Sequence, residues 1–159
     1  MNEAAPDFFL HEGRLRPGDA SVALIVVNGA KYLLQLRDQK SGIFYPGHWG
    51  LFGGALDLGE TPEVALRREL FEELGFAPRK ISYFTEFAFD FAPHGGRRVI
   101  RRYYEVHVGS DEVVAMTLGE GADLRVFAAD EILGQKRVTP YDAMAIWMHA
   151  TCGAHLSVA

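Results

Sequence analysis

Three glutamates, Glu69, Glu72 and Glu73, stand at i, i+3 and i+4 in the 159-residue chain. If that stretch is helical, their carboxylates leave one face within about 6 Å of one another. Unscreened, they repel, and each like-charged pair costs a helix roughly a few tenths of a kcal/mol, a cost that a bound divalent cation reverses. Carboxylate oxygens are hard donors, which favours Mg2+, with Mn2+ as a substitute, over zinc. A solvated helix face carries the same residue types. The surroundings shift the balance: from Gly54 to Phe76 the acidic residues Asp57, Glu60, Glu63, Glu69, Glu72 and Glu73 face only Arg67 and Arg68, so nearly all of the formal charge of −5 is concentrated here. Arg68, four residues ahead of Glu72, is spaced to orient the cluster through an ion pair.

Other residues carry weaker signals. Arg97, Arg98, Arg101 and Arg102 fall within six positions. Strand alternation sends Arg98 and Arg102 to one face, as candidates for substrate phosphates, and Arg97 and Arg101 to the other. A charged hairpin edge that discourages aggregation accounts for them equally well. Arg37 and Asp38 end a strand near the expected cleft, where Arg37 could touch substrate or form a surface salt bridge. His48 beside Trp49 is a loop histidine, and Tyr83, Phe87, Phe89 and Phe91 form a stripe at strand spacing that reads first as core. Cys152 is a lone thiol with no His/Asp arrangement to make it a nucleophile, and Gly53-Gly54 is neither a Walker loop nor a dinucleotide fingerprint.

The elements that position these residues follow from periodicity. Ser21–Val27 is apolar on both faces, as a strand buried on both sides is, and Asn28-Gly29 turns it into Lys31–Asp38, with Tyr32, Leu34 and Leu36 on one face. Residues 39–48 form a loop before the short apolar stretch Trp49–Phe52. From Thr61, an N-cap followed by Pro62, the residues Val64, Ala65, Leu66, Leu70, Phe71 and Leu74 recur at helical spacing until Gly75, predicting a helix of about 13 residues. Ile81–Phe91 alternates again, with Ile81, Tyr83, Phe87, Phe89 and Phe91 expected to share one face, and Pro93-His94-Gly95-Gly96 returns it as Arg97–Val108. Gly109–Leu118 reads as a loop and Leu124–Ala128 as a short strand. Thr139 caps a last helix with Ala143, Ile146, Trp147 and Ala150 inward. The sum is a mixed sheet covered by two helices.

Composition sets the frame. With 48% hydrophobic and 23% charged residues the chain is an ordinary globular one, and its length predicts a single domain over 1–159 whose core needs no disulfides. Residues 1–18 form an N-terminal segment, either an edge element or flexible. The acidic balance argues against a nucleic-acid polymer as partner. The longest clean apolar run, Val22–Val27, is far short of the roughly 20 residues a membrane span requires, and the start lacks a signal-peptide pattern, so a cytoplasmic protein is expected. A homodimer through an exposed strand or the N-terminal segment is compatible with the sequence.

Written out, Gly54-x5-Glu60-x7-Arg68-Glu69-Leu70-x-Glu72-Glu73-x-Gly75-Phe76 resembles the signature of the Nudix hydrolases at every fixed position, and Trp49–Gly54 resembles the approach to it, with Phe52 where a proline is frequent. The resemblance implies an α/β fold, an α/β/α sandwich with a mixed β-sheet between helices. It implies Glu69, Glu72 and Glu73 as metal-binding and catalytic carboxylates, Glu69 also orienting or deprotonating water, Glu60 and Arg68 as their supports, and the Gly54 carbonyl as a further metal ligand. Glu120, before Gly121 and a strand, resembles the place of an additional metal or base carboxylate, with Glu112 and Glu105 as weaker rivals. The expected activity is Mg2+-dependent hydrolysis of the diphosphate bond in a nucleoside diphosphate linked to another group, such as a nucleotide sugar or a nucleoside triphosphate. The alternative is a catalytically silent nucleotide- or sugar-phosphate-binding module of the same fold.

Overall fold

The computed structural model describes residues 17–156, so most of the N-terminal segment lies outside the described residues. Its centre is β1 (Ala20–Val27), every residue of which is buried. Ala20, Val22, Leu24 and Val26 enter one hydrophobic cluster, while Ala23, Ile25 and Val27 enter another, so one strand feeds two cores. Asn28 and Gly29 both adopt positive φ, the geometry of a tight hairpin, and return the chain as β2 (Lys31–Leu36). The short β3 (Trp49–Gly50) extends the sheet beyond β2, and β4 (Phe52–Ala55) pairs antiparallel with the first half of β1.

Along the other edge of β1 runs β6 (Arg98–Val108), parallel to it from Ala20 opposite Arg101 to Val27 opposite Val108. Before it comes β5 (Ser82–Asp90), its antiparallel hairpin partner, and β7 (Asp123–Ala128) pairs with β2. The result is a seven-stranded mixed sheet.

Helix α1 (Pro62–Leu74) covers one face through Leu66, Leu70 and Leu74. Its start is fixed by Thr61, whose side chain accepts from the Val64 N–H, and its end by Gly75 at φ 61°, whose N–H bonds back into the last turn. The opposite face is covered by α3 (Ala129–Gln135) and α4 (Pro140–Leu156), which contribute Ile132, Ala145 and Ile146. The expected α/β/α sandwich with a mixed sheet is therefore present.

Several expectations give way. Gly109–Leu118 is not a continuous loop: α2 (Ser110–Ala115) forms there, with Glu112 reaching back to the Gly109 N–H at 2.9 Å. Helices are more numerous than the two expected because short helices such as α2 and α3 lack the repeats that make periodicity visible. On α1, Val64 and Phe71 point outward, 53% and 64% exposed, and on α4 Trp147 is exposed while Ala145 is buried. The aromatic stripe of β5 is divided by a bulge between Tyr83 and Thr85. Ile81 packs against the α1-side core and Phe84 and Phe87 against the other, so Tyr83 and Phe87 do not share a face.

Candidate active site

Gly53 and Gly54 bring β4 under α1. Gly53 has φ 130°, and a Cβ there would strike the backbone of Ser21 on β1. That close approach lets the Gly53 N–H donate to Glu73 at 2.9 Å. Gln35 on β2 donates to the other oxygen of Glu73 at 3.2 Å, and the carboxylate is only 7% exposed. Burial pushes the Glu73 pKa up to about 7 despite those two hydrogen bonds, with Glu69 and Glu120 adding to the shift.

Gly54 is open for a different reason. A Cβ there would lie 2.5 Å from the carboxyl carbon of Glu69, so this side chain occupies the space above the glycine. Glu69 is also raised, by burial first, with Arg68 opposing and Glu72 and Glu120 adding.

Arg68 ties the group together. It donates to Glu60 through Nε at 2.8 Å and Nη2 at 2.9 Å, to Glu69 at 2.7 Å and to Glu72 at 3.3 Å, with a further bond to the Ala55 carbonyl. Glu60 in turn accepts from the Asp57 N–H. Its Arg68 hydrogen bonds, reinforced by that backbone donor, lower the Glu60 pKa to about 2. The expected ion pairs of Glu60 and Arg68 are thus present. Glu72 is the outermost carboxylate, 57% exposed at its side chain.

Glu120 arrives from a loop stitched to the far end of α1. Thr117 donates to the Leu74 carbonyl and Gly119 to that of Glu73, while Ala122 donates to Leu36 on β2. A Cβ at Gly119 would lie 2.5 Å from the Glu72 carbonyl oxygen, and Gly121 adopts φ 93°, so glycine is required on either side of Glu120. Glu120, Glu73, Gln35, Arg37, Asp38 and Lys40 line one concavity of about 100 Å3. Among the described residues no three acidic, His or Cys side chains converge as a ready-made metal cage. The donor set nevertheless fits a hard cation, because Glu69 and Glu73 border the glycine backbone of β4 and Glu73 is buried on neutral donors only.

The remaining candidates lie elsewhere. Glu105 bonds to His149 at 3.0 Å and Glu112 caps α2. Arg102 pairs with Glu86 at 2.8 Å across the β5–β6 hairpin, and Arg98 begins β6 opposite Asp90. Arg97 donates to the Pro17 carbonyl. His48 bonds within its own loop to Pro46, and Cys152 is exposed on α4.

Sequence reading missed Asp142. This residue is 2% exposed and accepts from the Leu51 N–H, the Thr139 hydroxyl, Arg101 Nη2 and the Tyr103 hydroxyl, at 3.0, 2.8, 3.1 and 3.4 Å. It anchors Arg101, whose guanidinium carbon sits 4.1 Å from the Tyr141 ring centre. An Asp three positions after a Thr cap was the available signal, but it reads first as ordinary helix capping.

A mixed sheet between helical layers, with an acidic cleft where a Gly-Gly strand meets a Glu-rich helix, defines the class of protein. A NUDIX domain family model matches residues 17–147, and the chain belongs to that family. The nucleoside triphosphatase NudI of Enterobacter sp. (strain 638) is 50% identical over 54 residues, and that of Escherichia coli (strain SE11) 46% over the same length. Each alignment spans 34% of this chain and only 38% of the relative. The crystal structure of a MutT NUDIX hydrolase from Burkholderia pseudomallei superposes with a TM-score of 0.68 at 28% identity, covering 83% of this chain and 97% of that one. The NUDIX domain of Shewanella oneidensis NrtR complexed with ADP ribose shares the fold, with a TM-score of 0.67, 18% identity and coverage of 94% and 91%.

Proposed function

We propose that the chain is a Mg2+-dependent diphosphatase acting on nucleoside diphosphate derivatives, with nucleoside triphosphates and nucleotide sugars the leading candidates. The observation that carries this reading is that Glu69 lies over Gly54 and Glu73 on the Gly53 N–H, with Glu73 held under burial that opposes its charge and sharing a concavity with Glu120. Glu69, Glu72, Glu73, Glu120 and the Gly54 carbonyl would hold the cation. When bound, it neutralises the phosphate oxygens and makes water a stronger nucleophile.

The chain's own groups do the rest. Arg68 fixes Oε1 of Glu69, and we assign Oε2 to the proton of the attacking water. Glu60 keeps Arg68 in place by two hydrogen bonds. Arg37, which borders the same concavity as Glu73 and Glu120, is assigned to a substrate phosphate. Arg98 and Arg102 do not line this concavity and Arg102 is held by Glu86, so a phosphate contact from either would need a substrate that reaches beyond it, tested by Ala substitution against wild-type KM. The cytoplasm is the proposed compartment, in keeping with a single cysteine that has no partner in the sequence.

The test is turnover of nucleoside triphosphates, nucleotide sugars, ADP-ribose and dinucleoside polyphosphates with Mg2+. Hydrolysis of at least one class that is lost in EDTA supports the reading. Tight binding without turnover of any member overturns it in favour of a silent binding module.

A further inference from the structure

Gln35 stands in the α1-facing row of β2, two residues after Leu33, which is fully buried in the core beneath α1. That row calls for an apolar side chain, yet position 35 carries an amide that is only 6% exposed. Burying an amide is costly unless it is hydrogen-bonded, so its bonds show what it is placed to hold. Nε2 donates to Glu73 Oε1 at 3.2 Å and to the Leu51 carbonyl at 3.4 Å. Both partners are acceptors, which fixes the amide: the nitrogen faces them and the oxygen faces away. On that other side a Cβ at Gly121 would come within 3.0 Å of Gln35 Oε1, so the oxygen lies against the loop bearing Glu120.

One neutral side chain thus touches α1 through Glu73, the segment joining β3 to β4 through Leu51, and the loop through Gly121. The second oxygen of Glu73 accepts from the Gly53 N–H. Each oxygen of this carboxylate therefore has one neutral donor, which sets its plane and leaves lone pairs for a cation. A lysine at position 35 would hold Glu73 equally well but would cancel its charge and compete with the ion. An apolar residue would leave Oε1 without its donor.

We propose that Gln35 is a positioning residue for the cation: acting through Glu73, it holds this carboxylate in the orientation that binds a divalent ion without neutralising it, while its oxygen backs the loop that carries Glu120. The inference rests on the diphosphatase reading, and it assigns Gln35 no contact with substrate.

The experiment measures Mn2+ binding by the electron paramagnetic resonance signal of the free ion, together with kcat and KM at saturating Mn2+, in the wild type, Gln35→Met and Gln35→Lys. Methionine keeps the length and bulk of the side chain and removes the donor. Partners that orient metal-ligating groups typically contribute 10–100-fold, so the Mn2+ Kd of Gln35→Met should rise by about that factor and kcat should fall about tenfold or more, with KM changed by less than about threefold. Gln35→Lys should lose Mn2+ affinity at least as far. A purely structural amide predicts a lower Tm in EDTA with wild-type Mn2+ affinity, and that result in Gln35→Met overturns the proposal, as does wild-type affinity in Gln35→Lys. The wild type supplies a readout that needs no variant: in a Mg2+ titration followed by NMR, the Gln35 side-chain amide should shift on the same binding curve as the Gly53 N–H. A Gln35 amide that stays still while Gly53 responds overturns the assignment. If the wild type binds Mn2+ but hydrolyses nothing, the diphosphatase reading fails alone and the binding data still decide the role of Gln35. A wild type that binds neither ion overturns both.

Discussion

Glu72 and Glu73 are adjacent in sequence and differ in what surrounds them. Glu72 is exposed, so Glu72→Gln removes one negative charge at little structural expense. We expect its turnover to fall at least a hundredfold while the unfolding free energy in EDTA stays within about 0.5 kcal/mol of wild type. Wild-type turnover at saturating Mg2+ would remove Glu72 from the site. Glu73→Gln also loses activity, but its new amide must face a donor, either Gly53 N–H or Gln35, and an unsatisfied buried group costs about 1–3 kcal/mol. Stability in EDTA therefore separates the two variants. Glu60 offers a pH test. Arg68 and the Asp57 N–H lower its folded pKa to about 2 from an ordinary 4.5, so its contribution to stability is present above pH 4.5 and fades as pH falls toward 2. Carboxyl NMR titration should find Glu60 ionised at pH 3, and Arg68→Ala should return it toward 4.5. An unshifted Glu60 in the wild type would contradict the bidentate pair.

At the scale of the element, the consecutive glycines of β4 make opposite predictions. A methyl at Gly53 meets the backbone of β1 and forces an L-residue to positive φ, so Gly53→Ala should destabilise the protein on the order of 3 kcal/mol, read by denaturant unfolding. A methyl at Gly54 meets only the end of the Glu69 side chain, which can swing away. Gly54→Ala should thus keep near-native stability and lose activity, and the reverse pattern would refute this account of the two positions. The cap, length and stop of α1 were legible because Thr61-Pro62, a 3.6-residue repeat and Gly75 each act locally. So were the ion pairs of Arg68, which helical spacing and the family signature bring together. The β5 bulge was not, because period-2 alternation assumes an unbroken ladder, and Asp142 was not, because its partners include Leu51 between β3 and β4 and Arg101 on β6, far away in the chain. Phe89 and Phe91, read as core but only half-buried, were misread for the same reason: strand spacing gives a face but not whether a neighbour covers it.

At the scale of the whole molecule, carboxylates from α1 and the loop bearing Glu120 meet only in the folded state, so a divalent cation should stabilise the protein by linkage. At a hundredfold excess over Kd the gain is about 2.7 kcal/mol. For a chain of this size that is a Tm rise of roughly 5–10 °C, measurable by calorimetry in Mg2+ or Mn2+ against EDTA. A Tm indifferent to millimolar cation would argue against the site as drawn. Among the described residues no helix is long and apolar enough to cross a membrane.

The parallel ladder of β1 against β6 joins residues about eighty apart in the chain, with the Glu-rich helix and the first hairpin strand of β5 inside the loop it closes. Such a closure is entropically expensive before any contact repays it, which places refolding toward the slow, millisecond-to-second end for a chain this short. The ion's donors straddle that same loop and the segment after it, so they assemble only once the ladder is complete. Cation binding should accordingly lengthen the lifetime of the native state while leaving the rate of reaching it almost untouched.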